Sequence, residues 1–262
     1  MHSHTLLALA LIGCGAAPSS STPSNVSTAT ATTVDAQSLG WIGLASAKVH
    51  GDTVPTYVST NPTHPLVIYA DAATLPASVR AIGVDGGVQT FTKTGTVEVP
   101  YGLEQNVLEV TAFAGPWLTP GVAWVMPPSA PSSWQPRPLA IRLGAANETQ
   151  ASFGIDDLAL ELRRTEPLAG ELRIERNGRV LHRERFVRTL MDGADPSSIN
   201  VSVEGPGVPR PIGAWSLVDG GPLLLVTLHP GYEGVTMRGW LIDAERVRVI
   251  EAMEQYLYYG AF

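Results

Sequence analysis

The chain contains a single cysteine, Cys14, in 262 residues. One cysteine excludes an intramolecular disulfide and a metal site built from several thiolates. Lysine is almost absent as well, since Lys48 and Lys93 are the only two, and the formal net charge is −7. Basic residues that neutralise phosphates supply most of the affinity for nucleic acid. We therefore expect no nucleic-acid partner.

Charged residues of both signs are scarce and make up 16% of the chain, whereas an average domain has about 25%. Glycine and proline are frequent by contrast, with 26 and 21 residues. The apolar fraction of 44% is ordinary and is enough for a sizeable core. Few charges and many turn-forming residues together predict an all-β chain with tight connections.

Motifs of the common catalytic sites are also missing. The chain has no phosphate-binding G-x-x-x-x-G-K-[ST], no H-E-x-x-H and no G-x-S-x-G. His229 and Glu233 stand four residues apart, but Pro230 and Gly231 between them predict a loop, in which that spacing has no directional meaning. We therefore predict no catalytic residue, no metal ligand and no cofactor.

Two groups of aspartates, Asp156-Asp157 and Asp192 with Asp195, were candidates for calcium binding. Calcium takes several oxygen ligands, and calcium loops supply them at regular spacing. Neither group has that spacing. The segment around Asp192 instead predicts a turn, in which Asp and Ser side chains bond to nearby backbone amides.

The longest apolar run lies near the start of the chain. Residues 6–12 are seven consecutive apolar residues; a membrane-spanning helix needs about 20, whereas the hydrophobic centre of a signal peptide has about 7–15. Leu11-Ile12-Gly13-Cys14 then resembles the lipobox of bacterial lipoprotein precursors. The resemblance implies that 1–13 is a signal peptide and that Cys14 carries a diacylglycerol at the mature N-terminus. Residues 1–5 depart from such signals because they contain no Lys or Arg.

The residues after the cysteine are small and polar. Gly15 and Ala16 stand where an aspartate favours retention at the inner membrane in enterobacterial lipoproteins, so the resemblance implies the outer membrane in a Gram-negative cell. Residues 15–38 are almost wholly Ala, Ser, Thr and Pro, with one charge at Asp35. Such a tract cannot bury enough apolar surface to offset the entropy of ordering it. We predict that 14–38 is a disordered tether.

Short β-prone runs separated by turn residues begin at residue 39. The Asp-Gly-Gly sequence at 85–87 lies between runs rich in Val and Ile and predicts a hairpin. Residues 106–115 alternate with period two, which places 107, 109, 111 and 113 on one face and 108, 110 and 112 on the other.

The pattern V-x-x-I-x-V-D-G, then a Phe, then V-x-V-x-x-G-L-x-x-N-x-L-x-V-x-A occupies residues 79–112. It resembles the second half of bacterial extracellular immunoglobulin-like modules, and the resemblance implies a β-sandwich over 39–126. After Ala112, Phe113-Ala114-Gly115 replace the usual acidic residue and its turn, which argues against the calcium site of some of these modules. The residues that carry the resemblance are Val79, Ile82, Val84, Asp85, Gly86, Phe91, Val97, Val99, Gly102, Leu103, Asn106, Leu108, Val110 and Ala112.

Five prolines fall among the thirteen residues 126–138. Proline removes a ladder donor and fixes φ, so this stretch is neither a central strand nor a helix. We interpret 127–138 as a linker between a first domain, 39–126, and a second β-rich, sandwich-like domain, 139–262. The alternative is a long crossover loop within one larger sandwich.

The second half shows further strand and turn signals. Asn177-Gly178 is the preferred pair of a type I′ turn and predicts a hairpin over 170–186, and the Asp-Gly-Gly sequence at 219–221 predicts another turn. Residues 138–143, 158–164, 199–205 and 235–243 predict strands. The segment 244–259 fits both periods, and we interpret it as a strand to about residue 252 followed by a helical turn.

Arginines and tryptophans are the candidate surface groups. Eight arginines lie between 163 and 188, interleaved with glutamates. Alternation across a hairpin predicts cross-strand ion pairs on a solvent face, and the alternative is a basic patch for an anionic surface polymer. Trp117, Trp124, Trp134 and Trp215 are candidates for stacking on sugars, although tryptophans in a sandwich more often pack in the core or at a domain junction.

These features favour a lipid-anchored cell-envelope protein that is a non-enzymatic binding or scaffolding module. The expected partners are the membrane, through the lipidated Cys14, and an envelope protein or an anionic polysaccharide. The alternative is an envelope hydrolase that acts on glycans with carboxylates from Asp156, Asp157 or Glu233, since such pairs work without a local motif. A purely structural body without a binding surface is a third alternative.

Overall fold

The computed structural model describes residues 39–47, 57–58, 64–70, 72–101, 106–188, 190, 197–202, 208–230 and 234–258. Every regular element in these ranges is a β-strand, which confirms the predicted all-β class. None of these residues belongs to a helix that could span a membrane. The predicted signal peptide, Cys14 and the predicted tether lie outside the described residues.

The described ranges contain seventeen strands in three groups. The first group is β1 (Trp41–Ala47), β2 (Tyr57–Val58), β3 (Leu66–Ile68), β4 (Ser78–Ile82), β5 (Gln89–Tyr101), β6 (Asn106–Ala114) and β7 (Gly121–Met126). The second is β9 (Arg142–Asn147), β10 (Gln150–Ile155), β11 (Leu158–Glu166), β12 (Ala169–Arg176) and β13 (Arg179–Val187). The third is β8 (Arg137–Pro138), β14 (Arg210–Ser216), β15 (Leu223–Pro230), β16 (Gly234–Ile242) and β17 (Val247–Tyr258).

Six strands of the first group pair in a closed ring. The order is β1-β3-β6-β5-β4-β7 and back to β1, and all six pairings are antiparallel. The short strand β2 adds a parallel pairing at the end of β1. The predicted turn at 85–87 joins β4 to β5, and Gly86 has the left-handed φ of 77° that such a turn requires.

Strands β3 and β7, and residues 42–45 of β1, are buried on both faces because their residues alternate between two clusters. One cluster gathers Phe91, Phe113 and Val125 with other residues of the ring alone. The other includes Leu44 and Trp124 and continues into the third group of strands. All six residues of β7 are therefore buried.

The third group forms the middle sheet, an antiparallel sheet of order β17-β16-β15-β14-β8. One face contributes Trp215 and Leu224 to the cluster shared with the ring. The opposite face contributes Leu225 and Trp240 to a cluster shared with the second group. Because both faces are covered, the strand can contain the uninterrupted apolar run at 223–226 instead of an alternation of apolar and polar residues.

The second group forms the outer sheet, of order β13-β12-β11-β10-β9. Its inner face buries Leu160, Leu172 and Ile174 against the middle sheet. The predicted hairpin at Asn177-Gly178 is confirmed: the two residues have φ of 50° and 77°, as a type I′ turn requires, and β12 pairs with β13.

Three segments differ from the strand predictions. Residues 199–202 form no strand, although Ile199 and Val201 are buried over the outer sheet and the Ile199 N–H donates to the Pro167 carbonyl at 2.7 Å. Residues 138–143 are divided between β8 and β9. At the C-terminus, β17 continues to Tyr258 without the predicted helical turn.

The buried cluster shared by the ring and the middle sheet joins residues from both sides of the proline-rich segment. Trp124 precedes that segment and Trp215 follows it, and the described residues form one compact unit. The division into domains 39–126 and 139–262, with a linker at 127–138, stays a prediction, and so does the immunoglobulin-like resemblance.

Candidate functional site

A cleft of about 500 Å³ lies where the end of β17 meets the ring. We call it the β17 cleft, and its lining residues are Tyr69, Ala70, Ala72, Thr96, Glu109, Thr111, Glu254, Gln255 and Tyr256. Small-molecule sites are concave, with volumes of about 300–1,000 Å³ and a few convergent polar groups. The β17 cleft has this size and mixes aromatic, hydroxyl and carboxylate side chains.

One wall of the cleft is a face of the β5–β6 hairpin. Thr96 pairs with Thr111 and Glu98 with Glu109 across the two strands, so these side chains share one face. The intervening pair, Val97 and Val110, packs into the core on the other face. The alternation predicted from the sequence is therefore confirmed for the described side chains of β6.

The Thr111 hydroxyl fixes the neighbouring segment of the cleft wall. Thr111 is 1% exposed, and its Oγ1 donates to the Ala70 carbonyl at 3.0 Å. Lys93 holds the following loop, because its Nζ donates to the carbonyls of Ala72 and Leu75, each at 2.8 Å. These contacts connect Ala70, Ala72 and Leu75 to strands β5 and β6.

The opposite wall is built by a bulge in β17. Gly239 pairs with Ile250 but Met237 pairs with Gln255, so β17 has four residues where β16 has only Arg238. The bulge places Ile250 and Met253 in the same buried cluster, which explains why apolar residues at helical spacing occur in a strand. It also brings Glu254 and Gln255 to the cleft.

Arg238 holds Glu254 from behind the cleft. Its Nη2 donates to Glu254 Oε1 at 2.9 Å, and its Nη1 donates to Glu184 Oε1 of the outer sheet at 2.7 Å. His182 lies next to Glu184, with 3.9 Å between its Nε2 and Glu184 Oε2. One arginine thus links the outer sheet, the middle sheet and the β17 cleft.

The polar cluster shifts the pKa of Glu184 strongly. The His182 imidazole is the largest cause and Arg238 adds to it, and together they outweigh the opposing effect of burial and lower the pKa of Glu184 to about 2. The 3.9 Å separation is too long for a direct hydrogen bond, yet the ring is near enough to favour the ionised carboxylate. Glu184 is therefore ionised at neutral pH.

A buried network next to this cluster keeps His229 neutral. Trp240 Nε1 donates to Thr227 Oγ1 at 2.6 Å, and the same oxygen lies 2.8 Å from His229 Nε2. Burial, with a smaller contribution from the Arg238 charge, lowers the pKa of His229 to about 4. The imidazole is an uncharged hydrogen-bonding partner at neutral pH.

His229 corrects one prediction. The sequence predicts a loop at this position, but His229 lies in β15 and pairs with Thr236 of β16. Pro230 does not prevent this because it is the last residue of β15, so the strand ends where proline removes a ladder donor. Glu233, the other member of that pair, lies outside the described residues, as do Asp192 and Asp195.

Asp156 and Asp157 form the turn between β10 and β11 rather than part of the β17 cleft. Asp156 has a positive φ of 54°, and Asp157 accepts an ion pair from Arg176 at 3.1 Å. Within the described ranges, no three His, Cys, Asp or Glu side chains come together as a metal site.

The arginine-rich hairpin carries cross-strand ion pairs, as the sequence predicts. On the outer face of the outer sheet, Arg173 pairs with Glu161 at 3.4 Å and also contacts Glu175. Arg185 pairs with Glu166 at 3.0 Å. These contacts compensate part of the positive charge of the segment 163–188.

Most of the candidate tryptophans pack in the core. Trp124 and Trp215 are fully buried, and their indole N–H groups donate to the carbonyls of Leu39 and Gly83, each at 2.7 Å. Trp134 packs on Trp124 with ring centroids 5.9 Å apart. Trp117 is the exception, since it is 41% exposed.

A second cavity, of about 220 Å³, is lined only by aliphatic residues, proline and glycine. The β17 cleft is the better candidate site because it has convergent polar groups and rings. No local pattern in the sequence predicts this cleft, because its two tyrosines are far apart in the chain and the only local signal is the polar face of β6. No family model, curated protein or solved structure matches this chain.

Proposed function

We propose that this protein is a lipid-anchored component of the bacterial cell envelope that binds a ligand in the β17 cleft without transforming it. The cleft is the observation that supports a binding role, because it joins two tyrosines and several polar groups in one concavity of suitable size. The resemblance of Leu11-Ile12-Gly13-Cys14 to a lipobox supports the envelope location and the membrane as a partner. A lipid anchor would keep the cleft near envelope ligands.

An envelope protein or an anionic polysaccharide is the partner expected from the arginine-rich segment. Five of its eight arginines, at 163, 164, 179, 183 and 188, have no ion pair with the described residues. The ion pairs of the other three reduce the charge available to a polyanion. We therefore favour the β17 cleft over the outer sheet as the primary binding surface.

A glycan hydrolase is the second candidate function. The observation that favours it is that two carboxylates, Glu109 and Glu254, line the same cleft. Glycosidases use such a pair, with separations of about 5–10 Å, as acid and as nucleophile or base. Release of reducing ends from envelope glycans by the wild type, and its loss in Glu109→Gln, would favour the hydrolase over the binding role.

Lipid anchoring is tested by expressing the full chain with its own N-terminus in a Gram-negative host. We expect the protein in the membrane fraction, with an intact mass that corresponds to a chain starting at an acylated Cys14. The variant Cys14→Ala should lose the added mass and leave the membrane fraction. A wild-type product that retains Met1 and carries a bare thiol would overturn the proposed envelope role.

A further inference from the structure

We infer that the β17 cleft binds a short saccharide that carries a protonated amine. This inference rests on the proposed binding role of the cleft and goes further by naming the chemical class of the ligand. It depends on three features of the cleft: two aromatic side chains, a rim of uncharged polar groups, and carboxylates as the only charged side chains among the described lining residues.

The aromatic side chains give the cleft a surface for stacking. Tyr69 and Tyr256 both line it, and Tyr256 is 45% exposed. A saccharide ring has an apolar face of C–H groups and a rim of hydroxyls. Rings in the cleft match the apolar face, while Thr96 and Gln255 offer hydrogen bonds to the hydroxyls.

The charge of the cleft selects a cationic ligand. Glu109 and Glu254 line it, and no Lys, Arg or His is among the lining residues that the structure describes. Glu98 lies directly opposite Glu109 on the same face of the hairpin. Like charges directly opposite each other in antiparallel strands are destabilising, so an ammonium group beside Glu109 would relieve a repulsion that is present without ligand.

Two cations close to the cleft already have partners among the described residues. Arg238 is bound to Glu254 and Glu184, and Lys93 donates to two backbone carbonyls. Glu109 has no ion pair with any residue in the described part of the chain. Its carboxylate is therefore the natural partner for an ammonium group, to which tyrosine rings are also attracted.

The experiment compares two probes that differ at the amine. Isothermal titration of the full chain in detergent measures binding of the glucosamine disaccharide and of its N-acetylated form. We expect the cationic disaccharide to bind at least tenfold more tightly, and we expect its affinity to fall as salt is raised because the attraction is screened. Equal affinity for both forms would overturn the amine inference while leaving the binding role of the cleft intact.

Two variants separate the contribution of the Glu109 charge to binding from that of the Tyr256 ring. Glu109→Gln should lower the affinity for the cationic disaccharide about fivefold, in line with the modest strength of exposed ion pairs. It should leave the affinity for the N-acetylated form unchanged. Tyr256→Leu should lower the affinity for both disaccharides by the same factor. Glu148→Gln, at an exposed turn of the outer sheet, is the matched control and should change neither.

Failure of the inference is distinguishable from failure of the proposed function. A wild-type protein that is folded, as its thermal transition shows, but binds neither disaccharide at millimolar concentration would overturn the inference that the ligand is a saccharide. The acylation of Cys14 and the membrane fraction are measured independently. The inference would also be contradicted if the wild type bound the cationic disaccharide and neither Glu109→Gln nor Tyr256→Leu lowered the affinity. The ligand would then bind elsewhere.

Discussion

The backbone of β16 at Gly239 lies against the Met253 side chain of the bulged strand β17. A Cβ atom at position 239 would lie 2.7 Å from Met253 Cβ and 2.9 Å from its Sδ. Gly239 is buried, and Met253 belongs to the buried cluster shared by the ring and the middle sheet. Glycine is therefore required here for close approach rather than for backbone conformation.

We predict that Gly239→Ala lowers the free energy of unfolding by about 1–3 kcal/mol, the usual cost of overpacking a core. Chemical denaturation measures this change. The matched control is Gly154→Ala in β10, where nothing lies within 4 Å of the added methyl group, and it should be close to neutral. Equal effects of the two substitutions would contradict the packing described at the β17 bulge.

The buried His229 makes stability depend on pH. The pKa of His229 is about 4 in the folded protein, whereas its ordinary value, which applies to the unfolded chain, is 6.5. Between these two pH values the unfolded chain therefore binds more protons than the folded protein. Stability is thus fully present above about pH 6.5 and is lost as the pH falls toward 4. At about 1.36 kcal/mol per pKa unit, the loss amounts to at most about 3 kcal/mol.

Denaturation of wild type and His229→Gln at several pH values tests this account. Glutamine can still accept a hydrogen bond from Thr227 but does not titrate, so the variant should lose much less stability between pH 6.5 and 4. Parallel curves for the two proteins would contradict a neutral buried His229. Glu184 contributes below this range, since its stabilisation is present above pH 4.5 and is lost as the pH falls toward 2.

At the scale of the elements, turns are the features that the sequence predicts best. Asn177-Gly178 and the Asp-Gly-Gly turn at 85–87 are local, because a few residues that accept positive φ determine the connection. The alternation of β6 is also readable in the sequence. The sequence does not reveal which face of β6 is buried, because that depends on strands distant in the chain.

The bulge in β17 shows why other elements escaped prediction. Met253 and Ile250 are three residues apart and lie in one cluster, which in the sequence resembles a helical period. Only the pairing with β16 reveals that extra residues leave the strand ladder. The β17 cleft depends on this irregularity and on Tyr69 from the ring, so no local pattern could have predicted it.

The Asn177-Gly178 turn supplies a test of the outer sheet. Gly178 has a φ of 77°, a conformation that costs a β-branched residue about 1–2 kcal/mol. We predict that Gly178→Val lowers stability by that amount, measured by denaturation, whereas Asn177→Gly, which keeps both residues permissive, has little effect. A neutral Gly178→Val would contradict the type I′ turn.

At the scale of the whole molecule, the middle sheet has its two faces in two different cores. Trp215 joins this sheet to the ring, since its side chain is buried in the shared cluster and its indole N–H donates to Gly83. Because the ring and the middle sheet bury one another, we expect neither to be stable alone. Thermal unfolding should therefore show one cooperative transition.

Calorimetry of wild type and Trp215→Phe measures this coupling. The variant leaves the buried Gly83 carbonyl without its donor, which should lower the free energy of unfolding by about 1–3 kcal/mol. The midpoint temperature of the single transition should therefore fall, and the transition should stay single. Two separate transitions, of which only one shifts in Trp215→Phe, would contradict a shared core and would favour two independent domains.

Binding in the β17 cleft is tested most directly by nuclear magnetic resonance. Titration of the glucosamine disaccharide into the isotope-labelled full chain should shift the backbone signals of Tyr69, Thr96, Glu109 and Tyr256, and should leave the outer face of the outer sheet unchanged. Shifts that map to the arginine-rich strands instead, or no shifts at saturating disaccharide, would contradict the account.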